Sequence, residues 1–261
     1  MQTQAAKHHS NERAPDVHLT DGTLSFQGEP LFTGLQLTLP AAQTTCLLGP
    51  SGIGKSSLLR LLAGLGDAAM GNVRDSDGAS LEGRLSYMAQ QDLLLPWLTT
   101  LQNVCLGHRL RYGKGGEDTR TAEMRALELL RAVGLADAAG KRPAALSGGM
   151  RQRAALARTL FENQPFVLMD EPFSAVDAIT RLELQELAAN LLKGRTVLLV
   201  THDPLEALRL GDSILIMSGR PATLESFPIP AEPTPRNPRS VDILAAQSAL
   251  LNRLLLARDR P

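Results

Sequence analysis

The spacing of apolar residues changes along the chain, and each change predicts a different element. From Val17 to Leu39 apolar and polar residues alternate, with Leu35, Leu37 and Leu39 on one side, a period of two that predicts half-buried antiparallel strands. Thr44–Leu48 is a short β-prone run that stops at a glycine-rich loop, and the leucine-rich stretch from Ser57 to Leu65 beyond it is helix-prone. Residues 66–83, rich in Gly, Asp and Ser, read as turns, and Leu85–Ala89 as another strand. From Leu93 to Gln164 the pattern is helical: Met124, Leu127, Leu130 and Val133 recur at three-residue steps, and a second helix runs from about Gly149 to Phe161. Three continuous apolar runs, at 166–170, 196–200 and 213–217, predict buried parallel strands, with helices at about 180–192 and 204–209 between them. Strands alternating with helices indicate an α/β sheet. Pro221 to Pro238 is proline-rich and reads as extended. Val241–Ala257 predicts a closing amphipathic helix with Ile243, Leu244, Leu250, Leu251 and Leu254 on its apolar side.

Composition narrows the function classes. A length of 261 residues at 43% hydrophobic suits one large domain with two lobes and a sizeable core. Lys+Arg and Asp+Glu balance at 27 each, so no global charge draws the chain to nucleic acid or an anionic surface. Cys46 and Cys105 have no paired spacing, which fits a reducing compartment and signals no metal. Residues 1–15 are polar and expected to be disordered, and the pair His8-His9 is too short to argue a metal site. That segment lacks the apolar stretch of a secretory signal, and no run approaches the ~18 apolar residues of a membrane span. A cytoplasmic protein is expected, one that serves a membrane only through a partner.

Three segments carry chemistry. Gly49-Pro50-Ser51-Gly52-Ile53-Gly54-Lys55-Ser56 has the spacing G-x-x-x-x-G-K-S, between a strand and a helix. Such a loop turns backbone N–H groups toward phosphate oxygens at a helix's positive end. There Lys55 can reach the β- and γ-phosphates and the Ser56 hydroxyl can ligand Mg²⁺. Asp170 ends a buried strand, where a carboxylate faces the ligand crevice and suits Mg²⁺; Glu171 beside it can polarise an attacking water as general base. In Leu146-Ser-Gly-Gly-Met-Arg-Gln-Arg153, Ser147 is a good N-cap and Gly148-Gly149 expose backbone donors at a helix start, a second anion site. One phosphate loop does not need two such ends; either a second copy of the chain supplies the contact, or this is a plain capped helix with Arg151 and Arg153 on a solvated face.

That last segment resembles the signature motif of ATP-binding cassette (ABC) transporter ATPases, and the likeness spans roughly residues 17–225 with the motifs in the family's order. The resemblance implies a P-loop NTPase fold: an α/β RecA-like core, an antiparallel β subdomain and a helical lobe. It implies that Gly49–Ser56, with Ser57, is the Walker A loop and Phe166–Asp170 Walker B, with Glu171 the catalytic glutamate. Gln90, with Gln91 as its neighbour, falls at the glutamine that touches Mg²⁺ and the attacking water. Ser174-Ala-Val-Asp177 is similar to the D-loop, and His202 to the switch histidine that contacts the γ-phosphate. Phe26, with Phe32 as the alternative, lies where the family stacks an aromatic on adenine. The family further implies a head-to-tail dimer that binds each ATP and Mg²⁺ between one copy's phosphate loop and the other's Ser147, Gly148 and Gly149.

One phosphate loop, no span and no long coiled-coil insertion leave a separate subunit docked on a membrane permease, peripheral on the inner face of the cell membrane. Leu95, Pro96, Trp97 and Leu98 lie just past Gln90 and could seat a coupling helix of that permease; packing inside the helical lobe is the other reading. The run Asp92-Leu-Leu-Leu-Pro-Trp-Leu-Thr99, followed by Asn103-Val104, resembles bacterial importers for nitrate, sulfonate, taurine and thiamine-precursor pyrimidines, systems that also use a periplasmic or lipid-anchored solute-binding protein. A pyrimidine or thiamine-related cargo is the favoured expectation. The alternative is a soluble cassette ATPase acting on a protein or nucleic-acid partner without a permease. The expected layout is an ATPase domain over 16–232, its helical lobe at about 92–164, and a tail over 233–261 with a helix.

Overall fold

The computed structural model describes residues 13–65, 70–113 and 117–258. The chain opens with strands β1 (Val17–Phe26), β2 (Glu29–Leu39) and β3 (Thr44–Leu48), then α1 (Lys55–Leu62), β4 (Met70–Asp75) and β5 (Leu85–Met88). Four helices follow: α2 (Thr100–Val104), α3 (Leu106–Tyr112), α4 (Glu117–Ala132) and α5 (Gly148–Phe161). Strands and helices then alternate through β6 (Phe166–Asp170), α6 (Ala178–Leu191), β7 (Thr196–Val200), α7 (Pro204–Leu210), β8 (Ser213–Ser218), β9 (Thr223–Phe227) and α8 (Val241–Arg258).

Two sheets form. One is antiparallel, in the order β2-β1-β4. The other has the order β5-β6-β7-β3-β8-β9, parallel except for β9. Because successive strand residues point to opposite faces, the parallel strands feed two cores. Val167, Met169, Val197 and Leu199 face the cluster that includes α5, α6, α7 and α8. Phe166, Leu168, Leu198 and Val200 face α1 and the antiparallel sheet. Leu58 and Leu59 seat α1 in that second core with no exposure, each contributing about 1.5–3 kcal/mol of apolar burial. The crossovers leave the carboxyl ends of β3, β5, β6 and β7 on one edge, where an open α/β sheet binds its ligand.

Several expectations are corrected. The run Met124, Leu127, Leu130, Val133 is not one face of α4: Met124 and Leu127 are exposed, and Ala122, Ala126, Leu130 and Val133 are buried. Three-residue steps lag the helical turn, so such a run drifts around the cylinder, whereas four-residue steps hold the buried side. On α8 the buried residues are Ile243, Leu250 and Ala257, and Leu244 and Leu251 face solvent. Strand β4 forms in the stretch read as turns, and β9 forms in the proline-rich stretch.

Most of the start expected to be disordered, residues 1–15 with His8-His9, lies outside the described residues. At its end the expectation fails: Ala14 is buried and donates its N–H to Gly194 O at 2.9 Å. The tail packs on the core through Arg236, buried and donating to Leu208 O and Gly211 O, both at 2.7 Å. Among the described residues no helix is long and apolar enough to cross a membrane.

Candidate functional site

The loop after β3 depends on glycine at two points. A Cβ at Gly49 would sit 2.4 Å from Met217 O, so only glycine passes. Gly54 adopts φ 109° at the N-cap of α1, which lets the helix begin directly at Lys55. The unpaired amides and positive end of α1 therefore meet the loop. Ser51 and Gly52 form the exposed tip, Ile53 is buried in the core beneath, and Ser57 is half-buried on the first helical turn. Lys55 is buried and folds back, donating to Gly49 O at 2.8 Å and Pro50 O at 2.9 Å. Burial lowers the Lys55 pKa, while Glu171 and Asp170 oppose that shift. Such an ammonium, held by two carbonyls inside an anion-ready loop, is poised for exchange onto phosphate oxygens.

Three strand ends converge beside it. Asp170 closes β6 and is buried; burial raises its pKa, against a hydrogen bond from the Ser56 hydroxyl and the charge of Lys55. Glu171 takes a left-handed backbone conformation, φ 49°, with its N–H bonded to Val200 O at 2.9 Å. This strained turn aims the Glu171 carboxylate sideways across the sheet edge. Gln90, after β5, donates through Nε2 to Glu171 Oε2 at 3.3 Å. His202, after β7, places Nδ1 3.2 Å from Glu171 Oε1, its ring largely exposed. Since β5, β6 and β7 are neighbours in the sheet, their ends deliver Gln90, Glu171 and His202 to one point. Gln90, not Gln91, makes the contact.

The second glycine segment lies elsewhere. Ser147 caps α5, accepting from Met150 N at 3.2 Å, and Ser147 and Gly148 are exposed. Gly149 is needed for a close approach: its Cβ would meet Ala175 O at 3.0 Å. Among the described residues, no hydrogen bond or ion pair joins 147–149 to 49–57. Gly148 instead borders a groove of about 420 Å³ shared with Gln90, Gln91, Arg151, Ser174 and Ala175. Asp177 caps α6, accepting from Ile179 N at 3.2 Å and Thr180 N at 3.0 Å. The Thr180 bond foremost holds its carboxyl below the ordinary range.

Phe26 is 63% exposed at the end of β1, whereas Phe32 is fully buried under Gly54, so Phe32 is core and cannot stack on a ligand. The 95–98 stretch is likewise not lobe core throughout: Trp97 is 65% exposed, Pro96 is exposed, and Leu95 and Leu98 are half-buried.

Two residues that lie inside the motifs but were given no role there tie the site together. Gln152 on α5 is buried, donates to Glu171 O at 2.8 Å and Ser174 Oγ at 3.1 Å, and accepts from Ala175 N at 2.6 Å. Its signals were its place in the Leu146–Arg153 motif and an amide on the buried stripe of α5, beside Ala155 and Leu156. Asn103 is fully buried and holds the 95–99 turn, donating to Leu95 O, Leu98 O and Thr99 O and accepting from Leu95 N at 2.7 Å. Arg158 anchors the preceding turn by donating to Asp92 O at 2.7 Å and Leu93 O at 2.8 Å.

Comparison with known proteins places these features in context. A family model described as ABC transporter matches residues 32–174. An uncharacterized ABC transporter ATP-binding protein of Haemophilus influenzae is 41% identical over 91% of this chain and 98% of its own. The aliphatic sulfonates import ATP-binding protein SsuB of Delftia acidovorans is 45% identical over 77% of this chain and 79% of its own, and SsuB 1 of Pseudomonas syringae pv. syringae is 42% identical over 82% and 86%. The dimeric, post-hydrolysis structure of the ATP-binding cassette MJ0796 bound to ADP and Pi superposes with a TM-score of 0.71 at 28% identity, covering 85% of this chain and 99% of that one.

Proposed function

The chain belongs to the ABC transporter family, and on that premise we propose that it is the ATP-hydrolysing subunit of an importer, working as a head-to-tail pair beneath a separate membrane permease. The observation that carries the hydrolytic reading is the meeting of Gln90, Glu171 and His202 beside the Ser56–Asp170 bond.

In this reading the ATP phosphates occupy the Gly49–Ser57 loop, and Lys55 leaves its two carbonyls for β- and γ-phosphate oxygens. Phe26 offers an exposed aromatic face to the adenine. Glu171 takes a proton from the attacking water, whose oxygen bonds the γ-phosphorus as the bond to the β-phosphate oxygen breaks. Gln90 orients that water and His202 donates to the γ-phosphate. Among the described residues no cluster of three or more His, Cys, Asp or Glu side chains could hold a metal. The oxygen donors Ser56, Asp170 and Gln90 nonetheless fit a magnesium ion that completes its shell with phosphate and water; when bound it would offset phosphate charge.

Ser147, Gly148 and Gly149 of a second copy would close over the same phosphates, with Asp177 stationed beside that interface by its cap. The exposed turn around Trp97, with Leu95, Pro96 and Leu98, is proposed as the permease seat, its apolar surface matching a coupling helix. Relatives named for aliphatic sulfonates shift the proposed cargo from a pyrimidine to a sulfonate, delivered by a separate solute-binding protein. The chain would then work on the inner face of the membrane.

The test is reconstitution. Co-expressed with the membrane permease of a sulfonate importer, the chain should co-purify and release phosphate from Mg-ATP, and vesicles carrying both should take up an alkyl sulfonate. Phosphate release absent even with the permease would overturn the ATPase reading. Uptake of a pyrimidine in place of the sulfonate would overturn the cargo.

A further inference from the structure

Helices α6 and α7 are joined by a ladder of three polar rungs. Arg181 lies 3.5 Å from Asp203, Gln185 Nε2 donates to Glu206 Oε2 at 3.1 Å, and Arg209 donates to Glu186 at 2.8 Å. The outer rungs reach solvent. The middle rung does not: Gln185 is 2% and Glu206 4% exposed. Within it two buried acceptors, Gln185 Oε1 and Glu206 Oε1, have no partner. A buried acceptor without a donor is costly, and two in one rung call for a single explanation. A carboxyl and a carboxamide already joined through one N–H···O bond form a cyclic pair when the other carboxyl oxygen carries a proton; that proton serves both orphans.

We propose that Glu206 is held as the neutral acid, paired reciprocally with Gln185, and that this buried rung positions the His202 segment against α6. The segment is tied to the rung through the first turn of α7. The Thr201 hydroxyl accepts from Asp203 N at 3.0 Å, and the Asp203 carboxylate accepts from Leu205 N at 2.9 Å and Glu206 N at 3.4 Å, so both residues flanking His202 are tied to the helix that carries Glu206. At its other end α6 begins at the Asp177 cap. Glu206 is a positioning residue: it acts on His202 through Thr201 and Asp203 and touches no reacting atom.

The surroundings agree. Burial pushes the Glu206 carboxyl up to about 7; Asp203 adds to that, and the Thr201 and Gln185 bonds and Arg181 oppose it. On the β3 side the buried thiol of Cys46 faces it, itself held well above the ordinary thiol range by burial and by Glu206 and Asp212, with Arg236 acting the other way. A carboxyl raised in the folded state contributes stability fully present below the ordinary glutamate pKa and lost as pH rises through about 7. Ionisation therefore removes one of the two bonds of the pair.

The inference rests on the catalytic reading only for what His202 does; its first test needs no turnover. Difference infrared spectra of the full chain should show a protonated carboxyl at about pH 6 that fades as pH rises through about 7 and is missing in Glu206→Gln. A carboxyl already ionised at about pH 6 would overturn the pair. The second test reads position. Glutamine at 206 supplies its own N–H to Gln185 Oε1, so wild-type turnover should decline above about pH 7, Glu206→Gln should keep turnover and lack that decline, and Gln185→Leu should lower turnover at every pH. Superimposable pH–rate profiles for wild type and Glu206→Gln would overturn the positioning role.

Discussion

Two glycine-rich helix starts in this chain differ in how far its own residues close them in. The start of α1 is closed in: Lys55 is buried across the loop, Ser56 is bonded to Asp170, and Glu171 is met by Gln90 and His202. The start of α5 is open: Ser147 and Gly148 are exposed, and Ser147 spends its oxygen on Met150 N. Gln152 connects them, bonded from α5 to the backbone carbonyl of Glu171. In the proposed reading, one end holds and attacks a nucleotide within one copy, and the other offers its donors outward to an anion brought by a second molecule.

Four substitutions press on that contrast, taken in order of expected loss of turnover. Glu171→Gln removes the base on the closed side and should cut ATP turnover about 10²–10⁴-fold while ATP binding survives, read by phosphate release against nucleotide titration. Lys55→Ala should cost about 10²–10³-fold in turnover and also weaken ATP binding by the isolated chain, measured by equilibrium titration. Ser147→Arg should lower turnover about 10–100-fold, the worth of a charge-assisted contact, with monomer affinity intact and the ATP-dependent dimer seen by light scattering in Glu171→Gln protein abolished. Should Ser147→Arg instead weaken monomer binding as Lys55→Ala does, both ends serve one nucleotide and the contrast collapses. Gln152→Ala should cost less than about tenfold in turnover and about 1–3 kcal/mol in chemical unfolding, because it leaves buried backbone groups unpaired.

The closed end was legible in the sequence because its chemistry is local. Gly49–Ser56 is contiguous, and Asp170-Glu171 ends a run of apolar residues that could hardly be anything but a buried strand. What escaped reading depends on partners far along the chain. Gln152 stands inside the Leu146–Arg153 motif, but it finds Glu171 and Ser174 some twenty residues on, so the motif alone does not show what it holds. Gln90 and Gln91 are adjacent and chemically equal; only the end of β5 decides which one turns toward Glu171. The missed strands share another cause. Both β4 and β9 are edge strands, paired on one side and largely open on the other, so neither needs the apolar alternation that marks a half-buried strand. The register of α4 was misread because its exposed face also carries Met124 and Leu127.

The left-handed backbone at Glu171 has a consequence for anyone who breeds this chain. An ordinary L-residue at φ 49° costs the fold about 1 kcal/mol, and asparagine tolerates that region better than glutamate. Glu171→Asn should therefore raise the thermal midpoint, or leave it unmoved, while ending turnover, as calorimetry and phosphate release would show together. Stability and activity pull in opposite directions at this one position. A library screened for heat resistance alone would drift toward inert proteins there, so selection for a hardier variant has to keep transport as its second criterion.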